Sequence, residues 1–489
     1  MPQPILSCTA PANSRLLLNY IAQSFDVCIK RTRNNAEYFH RETCTHEVHP
    51  GEKKEIGPMG MSWGLLGPEF LAKTRRIRSL GLGASLRAFN QCAVPGMGSV
   101  WFGKQLLLAT LGVAVAKQAR EQGAKASNIE VTNAIEALAC WLAFNSNEWQ
   151  GDPRLRGITK LKDSTDFQFQ YVRQHHFYVS QPMRTASVQP LPALGFVESG
   201  HTRFNAFRCT QVGEDFIKAA TRDWRPRNRT VTDHLVQWVL GKESQIKTAT
   251  LTQALSPLEA LPPRAVQLLR EQLHRGGSQE PAEDTARRTA TLAWVEALRV
   301  SDKSHTSWQQ RPAHITEVHW HDLHAGAQLF LTREAAIALL NQMEAHLDNL
   351  SGKPVLPLRN LPHAFDVAIE KLRTHAQAFM ALQAMPLGYR DEEAQRFCDQ
   401  CICGPDANVL RELVLRDGLG LRLEGDNIKP GPLFLGAAAG NTIADEDDTD
   451  GDETKTHDLL LWPEGMTFRM NNLYLLNQDM HNASPARPS

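Results

Sequence analysis

Eleven consecutive residues, Leu106–Ala116 (LLLATLGVAVA), carry no charge and a single hydroxyl. Such a run has no polar face to turn toward water, so it demands apolar partners on every side. It is too short to span a bilayer, and the polar KQAREQGAK that follows closes it as a buried helix closes. The chain has 489 residues and 42% apolar content, room for roughly two to four domains around such a helix.

Helical spacing recurs along much of the sequence. SNIEVTNAIEALACWLAFN reads as a second core helix, with Ser127 or Asn128 as N-cap. TREAAIALLNQMEAHLDNL places Ala336, Leu339, Leu340 and Met343 on one face, with Thr332 as the expected N-cap. The expected fold class is therefore mainly α and multidomain. The expected division is a helical domain over 1–145, a module of changed character over 146–230, and a helical segment over 231–300 with an exposed linker near 274–288. A C-terminal, mainly helical domain over 301–481 carries a solvated acidic loop at 445–453, and a disordered tail follows over 482–489.

The residues just before the apolar run, VPGMGSVWFGK, almost spell a phosphate-binding loop. Gln105 stands where a magnesium-binding hydroxyl should follow Lys104, and Ser99–Phe102 is bulky where backbone must approach phosphate. The expectation is a glycine-rich turn that opens a core helix.

Between 150 and 222 the pattern changes. LPALGFVESGHTRFNAFRCTQVGEDFIKAA parses as a helix end at Leu191–Leu194, a turn at Gly195 and a strand at Phe196–Val197. A polar hairpin at Glu198–Arg203, a strand at Phe204–Cys209 and a helix capped by Thr210 follow. Leu194, Phe196, Phe204, Phe207 and Phe216 would share one small core. This resembles the wing of winged-helix domains of the bacterial regulator type, and the resemblance implies a central winged-helix-like module, α with a small β-wing, over 146–230 of the mainly α chain. The resemblance implies a recognition helix over about 182–194, although Pro190 and Pro192 lie inside it. It implies nucleic-acid contacts from Arg184, Thr185, Ser187 and Gln189, from Arg203 and Arg208 on the wing, and from Arg225, Arg227 and Arg229 in RDWRPRNR. Lys73, Arg75, Arg76 and Arg78 form a second basic patch without an interspersed acid.

Two clusters resemble metal sites in part. FCDQCICG brings Cys398, Cys401 and Cys403 together without a second knuckle, and helix-packed thiols are the expected outcome. HITEVHWHDLH gathers His314, Glu317, His319, His321, Asp322 and His324; in a strand His319 and His321 would share a face, while a polar turn before the next helix is the expected outcome.

Charge is balanced, with 53 basic and 53 acidic residues, so partners must be read from local charge. Nine cysteines in no disulfide-like spacing, and an N-terminus without a charged, apolar leader, lead us to expect a reducing cytoplasm. No motif calls for a cofactor, a membrane or a small-molecule substrate. The expected function is non-enzymatic: a DNA-binding subunit of a larger bacterial assembly, such as a defence or mobile-element system. The alternatives are a scaffold subunit whose winged helix docks a protein, and a metal-dependent hydrolase or nuclease built on His314–His324.

Overall fold

The apolar run sits in the middle of the molecule because nothing else would satisfy it. It lies in α2 (Gly103–Glu121), which follows α1 (Gly83–Ala93); every residue of α2 from Gly103 to Ala116 is buried. The computed structural model describes residues 78–441 and 462–482, except 175, 202 and 301–305, and all of these belong to one compact unit, Lys73–Ser489. The acidic run Asp445–Glu453 and residues 483–489 of the tail lie outside the described residues.

Helix α3 (Asn128–Ser146) runs back along α2. Ser127 caps it: its Oγ accepts from Glu130 N (3.3 Å), and Glu130 returns a carboxylate oxygen to Ser127 N (2.7 Å). The two helices approach closely at Gly112, where a Cβ would overlap the Thr132 side chain. Short helices α4 (Ile158–Lys162), α5 (Phe169–Val172) and α6 (Pro190–Ala193) lead to the antiparallel strands β1 (Val197–Glu198) and β2 (Arg208–Cys209). Then come α7 (Gln211–Thr221), α8 (Val231–Val239), α9 (Ala249–Leu255), α10 (Pro263–Arg275) and α11 (Ala282–Val300). The stretch near 274–288 is not one open linker: only 276–281 separates the two helices, and Arg288 is fully buried.

The largest departure from expectation is α12 (Glu317–Asp348), a helix of 32 residues. It starts well before Thr332, with Thr316 as cap; Thr332 is buried mid-helix and donates its hydroxyl to Gln328 O (2.7 Å). Its start hides from a periodicity reading because the helix is buried nearly all round, by different neighbours on different sides. Strand β3 (Leu356–Pro357), helices α13 (Asp366–Ala384), α14 (Glu392–Ile402) and α15 (Asp406–Asp417), strands β4 (Leu421–Glu424) and β5 (Asn427–Pro430), and α16 (Phe468–His481) complete the described fold. The sheet is antiparallel, ordered β3-β5-β4, with Leu423 opposite Ile428.

The apolar side chains form two cores. The first gathers around α2 and α3 and includes α16. The second lies between α12, α13, α14, α15 and the sheet. Helices α1 and α12 serve both: Phe89 and Leu329 face the second core, Ala93 and Leu323 the first. No helix among the described residues is long and apolar enough to cross a membrane.

Candidate functional site

The glycine-rich loop before α2 is closed from within. Asp479 of α16 accepts the Gly103 N–H (2.9 Å), so a carboxylate of the chain itself occupies the positive end of α2. Gln105 Oε1 takes the N–H groups of Trp101 (2.9 Å) and Phe102 (3.4 Å). Lys104 points inward and donates to Ala254 O (2.7 Å); burial pulls its pKa down to about 8. Gly98 has φ +51°, and a Cβ there would stand 2.6 Å from Ala186 O. Two fully buried arginines pin the loop carbonyls. Arg288 donates to Pro95 O (3.4 Å) and Leu273 O (2.9 Å) and pairs with Glu280. Arg469 donates to Val94 O (3.2 Å), Gln91 Oε1 (3.2 Å) and Gln189 Oε1 (2.8 Å).

The hairpin is an open counterpart. Val197 pairs with Cys209 and Glu198 with Arg208. Thr210 accepts from Gly213 N (3.1 Å) and donates to Gly195 O (2.6 Å), which fixes the start of α7 against the hairpin base. Leu194, Phe196, Phe204, Phe207 and Phe216 are all buried, and Phe196 stacks on Phe216 with centroids 4.6 Å apart. The strands are shorter than expected because α3 claims their carbonyls: Asn128 Nδ2 donates to Phe204 O (3.1 Å) and Phe207 O (2.9 Å). Phe204–Ala206 becomes a 3-10 turn instead.

The expected recognition helix over 182–194 is not formed. A 3-10 turn, Met183–Ser187, is followed by the single turn of α6, whose first and third residues are Pro190 and Pro192. Arg184 packs inward, its Nε on Asn133 Oδ1 (2.6 Å) and its guanidinium 5.5 Å from the Phe204 ring centroid. Ser187 is buried with its hydroxyl toward Gln105 O (3.4 Å), and Gln189 holds Arg469. Thr185 is exposed, its hydroxyl turned to Pro182 O (2.7 Å).

Several cations around the hairpin are neutralised locally. Arg154 pairs with Asp152, Arg173 with Glu130 and Lys218 with Asp215. Arg227 and Arg229 share Glu243 at 3.1 and 3.6 Å. Arg203, Arg208 and Arg225 are exposed and have no ion pair among the described residues. Lys73, Arg75 and Arg76 lie outside the described residues. Arg78 belongs to no surface patch: it is buried, held by Glu344, Asn341 and Asp417.

The histidine cluster falls on the first turns of α12, not on a strand. Residues two apart on a helix point about 200° apart, so the side chains diverge. His319 reaches Ala93 O (2.8 Å), and burial lowers its pKa to about 4. His321 Nε2 meets Leu382 O (3.0 Å), and His324 stacks on Trp308. Asp322 is taken by Arg287 (2.7 Å) and by Tyr389 N (2.6 Å), and His314 is exposed on the preceding loop. Cys398 and Cys401 lie one turn apart on the buried face of α14, while Cys403 is exposed beyond its end. Among the described residues, no three His, Cys, Asp or Glu side chains are placed to share a metal ion.

Sequence reading missed Glu136. It is fully buried on α3 and accepts the Tyr178 hydroxyl (2.7 Å), while its Oε1 has no partner; burial raises its pKa to about 7. Nothing in the helical spacing of α3 marks it, because Tyr178 approaches from a distant loop. Comparison with models of protein families, with curated proteins and with solved structures finds no match for the chain.

Proposed function

We propose that the chain binds nucleic acid, with duplex DNA as the first target, through the β1–β2 hairpin and the turn after α7. The observation that carries this reading is the set of exposed arginines without ion pairs among the described residues: Arg203, Arg208 and Arg225. A guanidinium on a rigid hairpin base is suited to bidentate phosphate contacts. Arg227 and Arg229 add a smaller net charge, since they share one glutamate. With Ser187 buried and Gln189 committed to Arg469, the contacts are assigned to backbone phosphates, and Thr185 is the exposed residue among the four expected on the recognition helix.

The test is binding to labelled duplex DNA across a salt series, beside Arg203→Ala/Arg208→Ala. For every phosphate that the variant no longer neutralises, the slope of log K against log salt should fall by about 0.9. A slope unchanged in the variant, or no binding at low salt, overturns the reading.

A second reading is supported by a groove of about 490 Å³ between the hairpin and residues 279–284, with Val188, Pro192, Phe207 and Pro281 in its walls. Docking of a partner protein there would be insensitive to salt and to the arginine variant.

A further inference from the structure

Several described arginines are matched by acids. Arg78, Arg287, Arg288, Arg411 and Arg416 each hold a carboxylate within 3.0 Å. A group without ion pairs among the described residues lies away from the hairpin, where α10, α11 and α16 come together. Arg270 and Arg275 line a concavity of about 500 Å³ together with Gln267, Glu271, Gln272 and His274. His481 of α16 adjoins the concavity through Arg270, and Arg299 of α11 reaches the same helix outside the lining. Arg270 Nη2 is 2.7 Å from His481 Nδ1, and the Arg299 Nε donates to Asn477 Oδ1 (3.1 Å), one turn before His481. None of the three arginines has an ion pair among the described residues, and the buried Arg270 Nε has no acceptor.

We propose that this concavity is an oxyanion site that takes a phosphate group, carried either by a small phosphorylated compound or by a nucleic-acid backbone.

Glu271, in the lining, accepts from Gln267 (2.9 Å), and Glu296 accepts from Asn477 (3.4 Å); two guanidiniums against one carboxylate leave the lining with one net positive charge. The basic side chains are not needed to cap α10. Its last carbonyls are already taken: Gln272 O by Gly276 N (2.8 Å), Leu273 O by Arg288 (2.9 Å) and His274 O by Thr289 (3.4 Å). Guanidiniums converging on a concave surface focus positive potential, and their planar forks match phosphate oxygens. His481 receives a guanidinium N–H on its ring; burial, then Arg270 and Arg299, lowers its pKa, so it stays neutral and leaves the charge of the site to the arginines.

The experiment is calorimetric titration of the full chain with inorganic phosphate and with pyrophosphate. Wild type should bind with a dissociation constant on the order of 1 mM or tighter. Arg270→Gln/Arg275→Gln should weaken this at least about tenfold, while Arg203→Ala/Arg208→Ala should leave it unchanged. Arg275→Glu, on an exposed side chain, keeps the test decisive if Arg270→Gln does not fold. No binding well above the millimolar range, or equal binding by the pocket variants, overturns the site. Competition names the source of the phosphate. Displacement of pyrophosphate by duplex DNA assigns a backbone phosphate, and retention under saturating DNA assigns a small phosphorylated ligand. Because the hairpin variant spares this cavity, failure here and failure of the hairpin reading are separate results.

Discussion

The loop before α2 and the β1–β2 hairpin make opposite use of the same chemistry. The loop has the glycines, the lysine and the helix N-terminus of an anion site, yet its donors are already engaged: Gly103 N–H by Asp479, Lys104 by Ala254 O, Trp101 and Phe102 N–H by Gln105. The hairpin has no such motif, yet it leaves Arg203 and Arg208 exposed and unmatched by an acid among the described residues. Anion competence thus depends on which donors the fold leaves unsatisfied, and residue spacing alone does not report that.

The sharpest way to break this comparison is at the pins of the loop. Arg288→Ala strands Glu280 in the interior and should cost about 3–5 kcal/mol, read by chemical denaturation. A loss below about 1 kcal/mol would mean that the loop is held without Arg288, by Arg469 and its apolar contacts.

Next is the buried acid behind the hairpin. The Glu136 carboxyl, ordinarily near 4.5, is raised to about 7 in the folded chain. Between those values the folded chain keeps a proton that the unfolded chain has released. Its contribution is therefore full below about 4.5 and is lost as pH rises through about 7. Glu136→Gln should flatten that decline, gaining roughly 1–3 kcal/mol relative to wild type at pH 8 compared with pH 4. Parallel pH profiles for the two proteins would refute it.

Asp479→Ala removes the carboxylate from the start of α2 and should cost about 1–2 kcal/mol. If that variant instead bound phosphate at Gly103, a single side chain would separate the two regions. The smallest effect is expected at the hairpin: Arg203→Ala/Arg208→Ala should alter stability by less than about 0.5 kcal/mol, because neither side chain has an ion pair among the described residues. A larger loss in thermal melts would show that these arginines serve the fold.

What the sequence disclosed was what local physics decides. The burial of α2, the Ser127 cap and the Thr210 start of α7 follow from an apolar run and from hydroxyls that reach a backbone N–H three residues on. The apolar set of the hairpin was also readable, and so was the inward placement of Cys398 and Cys401. Arg288 was not, because in EDTARR it looks like part of a solvated charged face, and its buried partner Glu280 lies before the helix begins. The start of α12 was hidden since His319, His321 and Asp322 are polar residues buried by partners from α1, α11 and the 382–389 segment. Among the candidate site residues, Arg203 and Arg208 could be placed on a hairpin from sequence. Whether an arginine keeps its charge free depends on acids such as Glu243 and Glu130, which only the fold brings near.

Helix α12 is a rod shared by two bundles. Its first turns are glued into one core and the rest of its length into the other, and α1 repeats the arrangement in the opposite order. Neither core can melt without stripping one face of a helix that the other depends on. The described body should therefore unfold as a single cooperative block, its two cores melting together.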